Sequence, residues 1–210
     1  GAAAVAITPD LSNAETEWED KNDDNHYSVG EPFTDKNGNG KFDAVWIAGY
    51  GNGRPATGVH SYLWARAIVF DHGNTRIALV SLDLVGFFEN DMNEARALIS
   101  EDLAVDHVII ASTHVHEGPD TVGLWGRREL ETGVRLEYQE HVYLGIRRAV
   151  EEAVAALQPA TMTFAQVKTI DEDGSSHPYV GDGRDPVILD PTMTLMRFAN
   201  GDETVATLIH

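Results

Sequence analysis

The run His107-Val108-Ile109-Ile110-Ala111-Ser112 constrains the fold more than any other stretch of the chain. It is apolar and β-branched, the character of a buried strand. Helical periodicity brackets it. Upstream, Glu89 to Leu103 places Met92, Ala95, Leu98 and Ile99 on one face. Downstream, Leu136 to Leu157 repeats apolar residues at Val142, Ile146, Ala149, Val150 and Ala153. Both spacings match the turn of an α-helix.

Further strands surround this unit. Val5 to Thr8 predicts a short first strand stopped by Pro9. Ala65 to Phe70 and Arg76 to Leu82 predict a hairpin across Asp71-His72-Gly73-Asn74-Thr75. Thr161 to Val167 alternates, and Thr192 to Phe198 with Thr204 to Ile209 predicts a second hairpin across Ala199-Asn200-Gly201-Asp202. The order β-β-α-β-α-β-β-β indicates an α/β fold, a mixed β-sheet flanked by helices. Residues 1–210 then form a single domain, truncated because the chain stops at His210 inside a strand pattern.

Two stretches resist this pattern. Residues 10–43 are polar, acidic and rich in Asn and Gly, and predict a long loop that forms no core without help. Residues 171–191 predict a polar loop. Within it, Ser175-Ser176-His177 is a weak nucleophile and base candidate, since adjacent residues rarely form that geometry. Gly181-Asp182-Gly183 predicts a turn.

Composition narrows the chemistry. The formal net charge is −19, which repels nucleic-acid phosphates and anionic membrane surfaces. No run of about 18 apolar residues is present, so no transmembrane segment is predicted. With no cysteine, a metal site must draw on His, Asp, Glu, Tyr or backbone oxygen.

The strand ending at Ser112 opens into Thr113-His114-Val115-His116-Glu117-Gly118-Pro119-Asp120. Loops at the carboxyl ends of strands form the ligand crevice of α/β sheets. In an extended chain His114 and His116 point to the same side, so both imidazoles reach one metal, or one ligates while the other hydrogen-bonds a substrate. Glu117 is the neighbouring acid or base candidate. The bland alternative is a pair of exposed loop histidines. Asp83, at a strand end, is a catalytic candidate that ligates metal or orients a ligand histidine, or else a turn aspartate. His60 precedes a strand and is a further zinc-ligand candidate, with a structural role as the alternative. Trp125, Arg127 and Arg128 follow in the same loop as the histidines. Arg128 is the candidate to polarise a carbonyl, against a surface salt bridge.

A second pattern is Asp35-Lys36-Asn37-Gly38-Asn39-Gly40-Lys41-Phe42-Asp43. Asp35, Asn37, Asn39 and Asp43 stand at positions one, three, five and nine of a calcium loop, with Gly40 at six and the Lys41 carbonyl as the backbone ligand. Position twelve is Trp46, so a further ligand is sought from Glu19, Asp20, Asp23 or Asp24. The alternative is an Asn-Gly turn. A calcium ion here orders a loop and performs no chemistry.

Together these motifs resemble the neutral, non-lysosomal ceramidase family and its bacterial relatives. The resemblance rests on Ala6-Ile7-Thr8-Pro9, Asp43 to Gly51, Thr57-Gly58-Val59-His60, Ala65-Arg66-Ala67, Ser81-Leu82-Asp83, Ser112 to Pro119, and Asp190-Pro191 with Leu195-Met196-Arg197-Phe198. It implies the N-terminal part of a catalytic domain that hydrolyses the amide of an N-acyl lipid with zinc-activated water. It implies His114 as a zinc ligand with His116 at the same site, His210 near the place of a later histidine ligand, and Glu and Tyr ligands beyond residue 210. The calcium-type loop resembles an addition of bacterial relatives, and Glu117 stands where the family has Ser. The implied address is secreted or periplasmic. The competing expectation is a calcium-stabilised binding domain without chemistry. Oligomeric state is not readable from the sequence.

Overall fold

A computed structural model describes residues 1–170, 182–186 and 188–210. The chain divides into two compact units, Gly1–Leu157 and Gln158–His210. The first holds a four-stranded mixed sheet in the order β1-β2-β3-β4.

β1, Ala2–Ala6, pairs antiparallel with β2, Trp64–His72. β2 turns at Gly73, φ +66°, into β3, Thr75–Leu82, as the turn residues predict. β1 ends before Pro9 for a specific reason. Ile7 donates to the Leu63 carbonyl and the Thr8 hydroxyl accepts from the Leu63 N–H, so this pair closes off the ladder. α1, Glu89–Ala97, is shorter than its periodicity suggests. Ser100 starts a separate 3₁₀ turn, Glu101–Leu103, its hydroxyl accepting from Asp102, and Ala104 leaves it at φ +49°.

β4, His107–Ser112, lies parallel to β3 with Val80 opposite Ile110. Its bounds match the apolar run, but its surroundings correct the expectation of a buried strand. β4 has β3 on one side and is the edge of this sheet. Only Ile110 is buried, while Ile109 is 52% exposed. α2, Leu136–Ala155, buries Val142, Ile146, Ala149, Val150 and Ala153 against the sheet, together with Ile7, Val69, Val80 and Leu82. Gly145 meets Ile7 so closely that a Cβ there would sit 2.4 Å from Ile7 Cγ2.

Residues 10–43 also differ from expectation. They lack regular elements, yet Trp18, Tyr27, Phe33 and Phe42 gather on Trp46 as a small aromatic core. Tyr27 stacks on Phe42 with centroids 3.9 Å apart. Aromatic residues scattered through a polar sequence escape a search for periodic apolar faces.

In the second unit β5, Thr161–Lys168, β6, Thr192–Asn200, and β7, Glu203–Ile209, form their own antiparallel sheet. β6 and β7 are the expected hairpin, turning at Gly201, φ +58°. The mixed sheet flanked by helices is therefore present, but three of the strands assigned to it form a separate sheet. Ser175-Ser176-His177 lies outside the described residues.

Candidate metal centre

The parallel neighbours β3 and β4 deliver the site from their carboxyl ends. Thr113 extends the pairing by donating to the Leu82 carbonyl, and His114 then turns the chain at φ +62°. The chain here is not extended, yet the two imidazoles still converge. His114 Nδ1 lies 2.5 Å from the Val85 carbonyl oxygen. A carbonyl only accepts, so Nδ1 carries the proton and Nε2 keeps its lone pair. The Nε2 atoms of His114 and His116 are 3.1 Å apart. In a proton-only state His116 donates Nε2–H to His114. Two nitrogen ligands of a tetrahedral zinc stand about 3.3 Å apart, from Zn–N bonds of about 2.0–2.1 Å. The donor chemistry and the spacing of the pair thus fit one edge of a zinc site.

His116 is tightly placed. A Cβ on Gly49 would lie 2.3 Å from His116 Nδ1, and Gly49 has φ +83°. Tyr50 meets the imidazole edge-on at 5.4 Å, and Trp125 lies at 6.1 Å. The following residues are pinned to the segment before Gly49: Ala48 donates to Gly118, Ile47 bridges Pro119, and Asp120 donates to Trp46. Asp120 is the organiser that sequence reasoning missed. It is 1% exposed and accepts from the N–H groups of Val122, Gly123, Trp125 and Gly133. Its signal is an aspartate after proline with Gly123, Gly126 and Gly133 downstream, a turn-forming composition.

The other candidates fall in different places. Glu117 ion-pairs with Arg54 at 3.1 Å and, with Val115, lines a cavity of about 630 Å³ that also holds His60, Ile47 and Leu63. Asp83 does not orient a histidine: its Oδ2 accepts from the Trp64 N–H at 3.1 Å and from Arg66 at 2.6 Å. The Val85 carbonyl does that work instead. Arg128 and Arg127 both engage Glu131, the surface salt-bridge alternative. The Arg127 guanidinium, with Arg128, holds the Glu131 carboxyl below its ordinary range. His210 belongs to the second unit, where its backbone pairs with Thr194. Among the described residues no group of three or more His, Asp or Glu side chains is arranged to hold one ion, so His60 does not complete a set with His114 and His116.

In the loop 35–43 two amide side chains meet at Asp43. Asn37 and Asn39 amides both reach Asp43 Oδ2, at 2.9 and 2.6 Å. The N–H of Gly40, then that of Gly38, holds the Asp35 carboxyl below its usual value. The loop is clamped by Glu15, 1% exposed, whose oxygens accept from Lys36 N–H at 3.0 Å and Asp43 N–H at 2.7 Å. Glu15, not Glu19 or the aspartates, is the neighbouring carboxylate.

The same clamp occurs in residues 20–31. Glu31 accepts from Lys21 N–H at 3.0 Å and Ser28 N–H at 2.7 Å. Asp20, Asn22, Asp24, Ser28 and Glu31 occupy positions one, three, five, nine and twelve of a calcium-type loop, with Asn25 at six and φ +60°. The twelve-residue spacing ending in Glu31 was the available signal. Asn in place of the usual Gly at six obscured it.

A mixed sheet that presents paired imidazoles at its strand ends defines an α/β domain with a candidate metal-binding edge. The pattern of the neutral/alkaline non-lysosomal ceramidase family, N-terminal region, matches residues 27–209, and the chain belongs to this family. It is similar in fold to the crystal structure of neutral ceramidase from Pseudomonas aeruginosa, with a TM-score of 0.65 and 21% identity, covering 100% of this chain and 30% of that one. A structure titled as ceramidase complexed with C2 matches with a TM-score of 0.64 and 20% identity, over 100% of this chain and 30% of that chain. The chain thus spans about a third of the length of these proteins. No curated protein matches it. Among the described residues no helix is long and apolar enough to cross a membrane.

Proposed function

We propose that this chain is the N-terminal part of the catalytic domain of a zinc-dependent amide hydrolase, acting on an N-acyl amide of ceramide type. One observation carries the reading: His114 and His116 bring their Nε2 atoms to 3.1 Å while Nδ1 of His114 is held by Val85. Zinc, when bound, supplies an activated water and polarises the scissile carbonyl. The residues of this chain hold and orient. His114 and His116 offer two nitrogen donors, Val85 sets the tautomer of His114, and Gly49 admits the His116 ring. Two donors leave a tetrahedral site incomplete, so residues 1–210 alone are inactive. The family resemblance and the calcium-type loop support a secreted or periplasmic address, where free calcium suits weak extracellular sites.

The test is zinc stoichiometry and hydrolysis of a short-chain N-acylsphingosine by a longer chain that contains these residues. One zinc per chain, lost with activity in His114→Ala, supports the reading. Zinc-independent hydrolysis, or an unaffected His114→Ala variant, overturns it.

A second reading is a calcium-stabilised binding domain. It is favoured by the Glu15 clamp and by the Asn37 and Asn39 amides meeting at Asp43, in a loop where Asp35 and the Lys41 carbonyl would be further ligands. Calcium binding at this loop is common to both readings. They part on His114→Ala, which leaves ligand binding intact only in the second.

A further inference from the structure

The guanidinium of Arg54 gathers Gly49, Tyr50 and Glu117 beside His116. Its Nη1 donates to the carbonyls of Gly49 at 2.9 Å and Ala48 at 3.4 Å. Its Nη2 binds both carboxylate oxygens of Glu117, the residue after His116, at 3.1 and 3.2 Å. Its Cζ stands 5.3 Å from the centre of the Tyr50 ring, which itself meets the His116 imidazole. The Arg54 side chain is 20% exposed and Glu117 is 70% exposed.

We infer that Arg54 is a positioning residue for His116, holding its imidazole against Gly49 and aimed at His114. The physical basis is the rigid fork of arginine. Fixed N–H groups bind the two carbonyls before Tyr50 and the carboxylate after His116 at once, which a flexible ammonium does not reproduce. The ring of His116 is thereby wedged between two backbone segments that Arg54 ties together. His114 is set separately, by Val85. The consequence for zinc rests on the proposed function; the orientation of His116 does not.

The experiment is a zinc titration of the isotope-labelled 210-residue chain, followed by the imidazole resonances of both histidines. Arg54→Met is compared with Arg54→Lys, with thermal stability measured for each. Expected is a loss of at least about tenfold in zinc affinity for Arg54→Met, the scale of removing a group that orients a ligand. His116 resonances move before any zinc is added, those of His114 stay, and Arg54→Lys restores part of both effects. A His116 resonance unchanged in Arg54→Met, with affinity within twofold of wild type, overturns the inference and leaves the zinc reading standing. If the wild type itself does not respond to zinc, the longer chain decides the zinc reading, and the zinc-free His116 shift alone decides the role of Arg54. Should Arg54→Met fail to fold, Glu117→Ala breaks the same tie from an exposed side chain and is read the same way.

Discussion

The Nδ1 of His114 lies 2.5 Å from the carbonyl oxygen of Val85. Val85 follows β3 and His114 follows β4, so the bond joins the ends of two parallel neighbours. It makes the sheet itself the device that selects which nitrogen of His114 faces His116. A backbone carbonyl serves here where Asp83 was the sequence candidate, and Asp83 instead ties β2 to the end of β3 through Trp64 and Arg66.

This relationship predicts a tautomer. In its neutral form His114 carries its proton on Nδ1, readable from its ring nitrogen shifts. Added zinc moves the Nε2 signals of His114 and His116 together. His114→Ala and His116→Ala each weaken the zinc response by at least about tenfold. An Nε2-protonated His114, or a zinc response that survives either substitution, contradicts the geometry.

The loop 35–43 depends on Glu15. Glu15→Ala leaves the N–H groups of Lys36 and Asp43 without their acceptor beside a buried site. Each such group costs about 1–3 kcal/mol, so urea unfolding is expected to show a loss of about 2–6 kcal/mol. If the loop is a calcium site, calcium is expected to raise the melting temperature of the wild type and a chelator to lower it. Asp35→Ala together with Asp43→Ala removes most of that calcium effect. A chelator-insensitive wild type counts against the loop as a calcium site.

Asp120 anchors the segment that carries Trp125. Asp120→Ala removes the acceptor of Val122, Gly123, Trp125 and Gly133 N–H groups at once. A destabilisation of about 3 kcal/mol is expected, with a changed near-ultraviolet signal from Trp125. Asp120→Asn keeps one acceptor oxygen and costs less. Equal costs for the two variants speak against hydrogen bonding as the cause.

Gly145 tests the packing of α2 on β1. Gly145→Ala gains about 1 kcal/mol of helix propensity, but its methyl meets Ile7 Cγ2. Overpacking of a full core costs about 1–3 kcal/mol, so the net change is destabilising. The same substitution in an Ile7→Ala background costs less, because the opposing atom is gone. A double-mutant cycle without coupling removes this explanation.

Acid weakens the Glu131 clamp. The Glu131 carboxyl is held below its ordinary range chiefly by Arg127, then by Arg128. A depressed carboxyl adds stability that is complete above the unfolded glutamate value, about 4.3, and fades as pH falls through the folded value. Wild type should therefore exceed Glu131→Gln in melting temperature at pH 7, and the gap should close toward pH 3. A gap that persists unchanged at pH 3 excludes this charge effect.

Much of the architecture was readable from local pattern. The period of Val142, Ile146, Ala149 and Val150 marked α2, and Gly73 and Gly201 marked the two hairpin turns. The spacing of Asp35, Asn37, Asn39 and Asp43 marked a loop in which Asn37 and Asn39 do reach Asp43. Arg54 could not be found this way, because 63 residues separate it from its ion-pair partner Glu117. Glu15 was hidden for the same reason, 28 residues from Asp43.

By itself the sequence determined which segments become strands and helices, which residues carry imidazole or carboxylate, and the Thr-His-Val-His stretch on which the family resemblance rests. Those are properties of neighbours along the chain: periodicity, turn chemistry and side-chain type. Tertiary structure decided that β4 stands at an edge, that the last three strands form a sheet of their own, and that two histidines meet Nε2 to Nε2 across a left-handed turn at His114. Periodicity reports that a face is buried and not what buries it. A hydrogen bond between the ends of β3 and β4 exists only once both strands lie side by side.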